Sequence, residues 1–141
     1  MPATIRMLGQ GDETILTRVA PDVFDHPVDP GRTGEFLRDP RHHLAVALDV
    51  DLVVGFASAV DYVHPDKQPE LWINEVGVAP DYRRQGIGAA LLRAVLEAGR
   101  ARGCRQAWVL TSPGNAAAVD LYRSVGGEPS PEPAILLEFP L

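Results

Sequence analysis

Val76-Gly77-Val78-Ala79-Pro80-Asp81-Tyr82-Arg83-Arg84-Gln85-Gly86-Ile87-Gly88-Ala89-Ala90-Leu91-Leu92 reads as a strand end, a glycine turn and the start of a helix. Apolar residues recur at Ile87, Leu91, Leu92, Val95 and Leu96, spaced as one face of an α-helix that runs from Gly86 to Arg102. Gly103 is placed to end it. Glycines in the preceding turn let backbone amides reach a ligand, and a helix N-terminus adds unpaired donors and partial positive charge. With Arg83 and Arg84 beside it, the turn reads as an anion site suited to a pyrophosphate. A Walker loop is excluded because Ala89-Ala90 follows Gly88 where Lys-Ser/Thr is required. A dinucleotide fingerprint is excluded because Leu91 stands in place of its third glycine.

Outward from this stretch, Leu71–Val78 is a strand, and Leu44–Leu48 and Leu52–Val60 are apolar runs joined as a hairpin by Asp49-Val50-Asp51. Thr4–Leu8 is a first strand, and Asp12 is placed to cap a helix reaching Val19. Residues 22–33, rich in Pro and Asp, read as a loop before a short helical piece at Glu35–Arg38. Asp61–Glu70 reads as a loop around Pro65 and Pro69. Downstream, Ala107–Leu110 is a strand, Asn115 caps a helix over Ala116–Val125, and Ile135–Phe139 is a last strand. The order β-α-α-β-β-β-α-β-α-β predicts an α/β (α+β) domain with a mixed sheet and helices on its faces. With no repeat or linker, residues 1–141 form one domain.

Composition narrows the function classes. One cysteine, Cys104, excludes an internal disulfide framework, and the four histidines show no ligand spacing, so no metal is assigned. The start from Met1 to Arg6 has no apolar leader core and no run has the length of a membrane span, so the expected address is the cytoplasm. The net charge of −6 is unevenly spread. Residues 1–82 hold 6 basic and 14 acidic side chains, residues 83–123 hold 7 and 2, and residues 124–141 hold three acids and no base. This argues against nucleic acid as a partner and fits one anionic ligand beside a cationic one.

The run through the glycine turn resembles the central motif of the GNAT superfamily of N-acetyltransferases, whose R-x-x-G-x-G pattern is matched at Arg83, Gly86 and Gly88. Asn115, Ala118, Leu121, Tyr122 and Gly126 match the superfamily's N-x-x-A-x-x-L-Y-x-x-x-G pattern, with Gly127 standing where an aromatic is usual. The resemblance covers residues 44–127 well and the first 40 poorly. It implies a mostly antiparallel sheet that splays after its fourth strand, with a bulge at Gly77. It implies that acetyl-CoA lies along Val76, Gly77 and Val78, with its pyrophosphate on the amides of Arg83, Arg84, Gln85, Gly86, Ile87, Gly88 and Ala89. Asn115 then contacts the pantetheine, and an amide near Val76 or Val78 polarises the thioester carbonyl. Tyr122 matches the superfamily's proton donor to the departing thiolate, a role open to a phenol of ordinary pKa about 10. Glu75 stands where many relatives carry a carboxylate base. Such a base is useful because deprotonating a lysine-like ammonium at pH 7 costs about 4–5 kcal/mol. Cys104, at the far end of the helix, reads as structural, and Trp72 and Trp108 as core or interface residues.

The resemblance implies that the N-terminal loops and the turn before the fourth strand build the acceptor pocket. Those segments supply the acids Asp22, Asp25, Asp29, Asp61, Asp66 and Glu70, suited to a polycation. The run from Tyr62 to Glu70 also resembles that of the short aminoglycoside 3-N-acetyltransferases. The expected acceptor is therefore a small polycationic amine, an aminoglycoside first, bound by Asp25, Asp29, Tyr62, Asp66, Glu70 and Glu75. A protein, peptide or polyamine amine is the alternative, as is a silent acyl-CoA-binding module. Many relatives of this kind are homodimers.

Overall fold

Five strands lie side by side in chain order: β1 (Thr4–Leu8), β2 (His42–Asp49), β3 (Leu52–Tyr62), β4 (Glu70–Val78) and β5 (Gln106–Val109). The first three pairings are antiparallel, and β4–β5 is parallel. A parallel pair needs a crossover, which α2 (Ile87–Ala101) provides. The computed structural model describes residues 3–141, so Met1 and Pro2, part of the N-terminus read above, lie outside the described residues.

The predicted amphipathic face of α2 is the face it buries. Leu91 and Val95 are fully enclosed, as are Val46, Val53, Val54 and Leu71 of the sheet, and all belong to one core. Truncating such a side chain to Ala costs about 2–5 kcal/mol. At Gly55 an added Cβ would stand 3.1 Å from Leu91 Cδ1, so that side of β3 faces α2. Its neighbour Phe56 therefore points to the other side, where it stacks on Phe24 with centroids 4.1 Å apart.

Helix α1 (Pro30–Arg38) covers that second face, and it corrects the prediction of a loop up to Thr33. Asp29 caps it by accepting the Arg32 amide at 2.8 Å, and Pro30 occupies the first turn, where a missing N–H costs nothing. The helix expected after Asp12 is a 3₁₀ turn over Glu13–Thr17. Asp12 turns backward instead, accepting the Gly9 amide and Arg6 Nη2 at 2.9 Å each. The edges of the expected 61–70 loop belong to strands, since Tyr62 and Glu70 pair across β3–β4. The last helix, α3 (Ala116–Ser124), follows the expected Asn115 cap, with Asn115 Oδ1 accepting the Ala118 amide at 3.2 Å. The strand expected over Ile135–Phe139 does not form in the protomer. Those residues are exposed and pair with nothing.

Two irregularities in β4 shape the site. Its partner β5 accompanies it only over Glu70–Ile73, so the outer edge of residues 74–78 is left without a strand. This is the expected splay. The bulge, expected at Gly77, lies elsewhere. Register shifts between Ser58 and Ala59, which face Glu75 and Ile73 respectively, so Asn74 is the extra residue. Paired residues share a face. Leu71 and Ile73 therefore point toward α2, whereas Glu75 and Gly77, opposite Ser58 and Phe56, point toward α1. A regular strand would have sent Glu75 into the α2 side; the bulge re-aims it.

Candidate functional site

On the α1 side of the sheet, a cavity of about 480 Å³ opens above Leu44, Phe56, Ser58, Asn74 and Glu75, roofed by α1 and by the segment Phe24–Asp29. It shares Phe24, Asp25, His26 and Thr33 with a neighbouring cavity of about 640 Å³, which Glu13 and Asp22 help to line. Glu75 stands in the cavity wall, open to solvent on one side. Partial burial raises its pKa above the ordinary carboxylate range, and the Asp25 carboxylate adds to this by repulsion and by a hydrogen bond, while His26 works against it. Two neighbouring carboxylates of this kind attract cations.

The structure brings Asp25, Asp29 and Glu75 together in this cavity, with Asp29 also serving as the α1 cap. It does not bring Tyr62, Asp66 or Glu70 there. Tyr62 and Glu70 lie at the opposite end of the β3–β4 ladder. There the Tyr62 hydroxyl donates to Glu70 at 3.2 Å and accepts from Trp108 Nε1 at 2.6 Å. Trp72 stacks on Trp108 beside them, centroids 5.2 Å apart. Asp66 is exposed near Lys67, 3.8 Å away. Asp61 is buried on the α2 face, where His43 Nε2 lies 2.6 Å and Arg102 Nε 3.1 Å from its carboxylate. One acidic pocket in the sequence is thus several separate groups in space.

Sequence reasoning missed His26, Arg32, Ser58 and Asn74 as cavity residues. Ser58 carried a usable signal, being the one polar side chain within the apolar run Phe56–Val60. The Asp29-Pro30 dipeptide, a cap followed by a first-turn proline, was a usable signal for α1 and hence for the cavity roof.

The glycine turn lies at the other end of β4. Arg84 and Gly86 both adopt positive φ, 63° and 79°. Left-handed residues in a turn are a feature of the backbone nests that bind anions. Gly86 is the N-cap of α2 and offers no side-chain cap, and the first intrahelical bond runs from the Ala90 amide to Gly86 O at 3.1 Å. The amides of Ile87, Gly88 and Ala89 therefore have no acceptor among the described residues. The Ile87 side chain is buried, so only its backbone is available to a ligand. Gly88 has a packing role as well: an added Cβ would meet Leu121 Cδ2 at 3.2 Å, so its bareness seats α3 against α2. At Gly77 an added Cβ would stand 2.5 Å from Val23 O, so that glycine admits the cavity-roof segment rather than forming the bulge. Arg83 donates from Nε to Val78 O at 3.1 Å, tying the turn to the strand end.

Tyr122 projects from α3, the helix held by Gly88 through Leu121, and is half-buried. Burial pushes its phenol pKa up, so it stays protonated at neutral pH. Cys104 is buried and its thiol pKa is raised, chiefly by burial, which leaves it unreactive. No cluster of metal-ligating side chains occurs among the described residues, and no helix there is long and apolar enough to cross a membrane.

Comparison with known proteins follows the same outline. Streptothricin acetyltransferase from Streptomyces lavendulae is 37% identical over 111 residues, which cover 79% of this chain and 56% of that protein. Aminoglycoside N(6')-acetyltransferase type 1 from Salmonella typhimurium is 33% identical over 61% of this chain and 63% of its own length. This chain thus spans less than two-thirds of either relative. Among solved structures, an aminoglycoside acetyltransferase from an uncultured soil metagenomic sample, in complex with sisomicin, superimposes with a TM-score of 0.82. It is 22% identical, and the match covers 99% of this chain and 96% of that one. The aminoglycoside acetyltransferase AAC(6')-Iy, in complex with a CoA-based bisubstrate analogue, gives a TM-score of 0.80 at 23% identity over both full chains. The acetyltransferase (GNAT) family model matches residues 13–126, which include the cavity roof, both halves of β4, the glycine turn and α3. The chain belongs to the acetyltransferase (GNAT) family.

Proposed function

We propose that the protein transfers an acetyl group from acetyl-CoA to a primary amine of a small polycation, aminoglycosides first, by direct attack in a ternary complex. One observation carries the reading. The same stretch of β4 presents Glu75 to an acidic cavity while leaving a bare backbone edge that leads to an anion nest. The two ligands, one cationic and one polyanionic, thus have separate approaches to one strand.

The donor site suits its ligand. The free amides of Ile87, Gly88 and Ala89 and the turn at Arg84–Gly86 accept a pyrophosphate, and residues 76–78 accept an extended amide-bearing arm as an added strand. Acetyl-CoA supplies the activated acyl group. The chain's own residues do the rest. Asp25, Asp29 and Glu75 draw the ammonium into the cavity. Glu75, whose raised pKa brings it nearer to that of an amine, takes the proton from the attacking nitrogen. A backbone amide near Val76 or Val78 polarises the carbonyl under attack. Tyr122 holds a phenol proton at neutral pH for the sulfur that leaves. Asn115 orients the arm with whatever capacity its cap bond leaves.

The similarity to a streptothricin acetyltransferase and to an aminoglycoside N(6')-acetyltransferase supports the acceptor class. The test is thiol release from acetyl-CoA with a panel of aminoglycosides, streptothricin, polyamines and peptides, run on the wild type and on Tyr122→Phe. Turnover on the polycationic sugars, lost in Tyr122→Phe with CoA binding retained, is the expected result. Turnover on peptides alone overturns the acceptor. CoA binding with no turnover on any amine replaces the enzyme with a silent CoA-binding module.

A further inference from the structure

Three polar residues are buried among the described residues: Thr33, Ser58 and Asp61. Two of them are satisfied. Thr33 Oγ1 donates to Asp29 O at 2.9 Å, and Asp61 is met by His43 and Arg102. Ser58, 7% exposed, makes no side-chain hydrogen bond among the described residues. A buried hydroxyl without a partner is costly, and each such exception needs a reason. Its place in the sheet supplies one. Leu44 of β2, Ser58 of β3 and Glu75 of β4 are register partners across three strands, so they stand in one row on the α1 side. All three line the cavity of about 480 Å³. The Ser58 hydroxyl is not sealed off as His42 Nδ1 and His64 Nε2 are, so the surface it keeps opens into that cavity.

We propose that Ser58 is a specificity-determining residue: its hydroxyl binds a neutral hydroxyl of the acceptor, on the carbon next to the one bearing the reacting amine. The proposal rests on the Glu75 cavity being the acceptor site, and it narrows the acceptor to an amino alcohol, the local unit of an amino sugar. Cross-strand partners have Cβ atoms about 4.5–5.5 Å apart, so one small fragment can reach both Glu75 and Ser58. Their chemistries differ. Glu75, with Asp25 as its close partner, suits an ammonium. Ser58 carries no charge and shares the cavity floor with Leu44 and Phe56, 5% and 4% exposed. A second ammonium placed there would be desolvated without a counter-charge. A hydroxyl both donates and accepts, as serine does, so either can serve the other. A lysine side chain or a linear polyamine offers a methylene at that position and leaves Ser58 unpaired.

The test uses a matched pair of small dications, 1,3-diamino-2-propanol and 1,3-diaminopropane, which differ only in the hydroxyl beside the amines. At saturating acetyl-CoA, kcat/KM is measured for both with the wild type, Ser58→Ala and Ser58→Thr. The hydroxyl also makes its neighbouring amines less basic, equally for every variant, so the quantity read is the ratio between the two diamines. The wild type should prefer the amino alcohol. That preference should fall by about 3–10-fold in Ser58→Ala, the loss of one neutral hydrogen bond, and persist in Ser58→Thr. An equal loss on both diamines makes Ser58 a packing residue and overturns the proposal. A preference that survives in Ser58→Ala, or is lost equally in Ser58→Thr, overturns it too. Turnover on aminoglycosides with neither diamine accepted also overturns it, while the acetyltransferase reading stands. No turnover on any amine ends both.

Discussion

Asp61 and Glu75 are carboxylates on neighbouring strands that meet opposite treatment. Asp61 is buried on the α2 face and neutralised, with His43 and Arg102 both on its oxygens. It joins β2, β3 and the end of α2. Glu75 stands in a cavity wall with Asp25, a like charge, as its close partner. Of the described residues, His26 offsets that repulsion only in part, and a bound cation would complete it. The difference separates two uses of an acid in this molecule: a satisfied one holds the fold, and an unsatisfied one is, on the proposed function, the group that meets the substrate.

The largest expected break in this comparison is Glu75→Gln. It should lower kcat/KM by about 10²–10⁴ with CoA affinity unchanged, measured by steady-state kinetics and calorimetry. If turnover persists, the two acids do not differ in kind. Asp61→Ala should have the complementary effect, a stability loss of about 3–5 kcal/mol in urea unfolding, because His43 and Arg102 lose the charge they face. Activity of the fraction that remains folded should be close to wild type.

A smaller effect sharpens the contrast. Asp25→Asn removes a repulsion and a hydrogen bond that raise the Glu75 pKa, so the acid limb of the rate profile should move to lower pH. An unmoved limb would detach Asp25 from the reacting group. The smallest effect concerns stability. A carboxyl whose pKa rises on folding favours the folded state while protonated, and that contribution fades as pH rises through the folded value. Glu75→Gln, which mimics the protonated form, should therefore melt slightly above the wild type at pH 8 and alongside it at pH 4.

Much of this was readable from the chain because the relevant signals are local. The spacing of Ile87, Leu91, Leu92 and Val95 predicts both α2 and its buried face, and the turn from Arg83 to Gly88 reads as a candidate anion site from residue type alone. What escaped depends on pairing. Ile135–Phe139 has the composition of a strand yet pairs with nothing in the protomer, because pairing needs an edge that the segment itself does not carry. The true bulge at Asn74 is set by register against Ser58 and Ala59, two strands' worth of information. Gly77, read as the bulge, turned out to be bare because Val23 O passes close by. The scattering of Tyr62, Asp66 and Glu70 away from Asp25 has the same origin. Acids that are near in sequence to β4 lie at its beginning, and the cavity lies near its end.

Asn74 is the residue that the strand could spare. Remove it and Ile73 and Glu75 become successive residues, still opposite Ala59 and Ser58 and still on opposite faces. A strand that closed the gap would lose its bulge yet keep the carboxylate in the cavity wall. Retain Asn74 but regularise the strand, and Glu75 would turn to the apolar side beneath α2, with the register beyond it displaced by one residue. Deletion of Asn74 should therefore leave turnover closer to wild type than loss of Glu75 does, measured by steady-state kinetics on the folded variant.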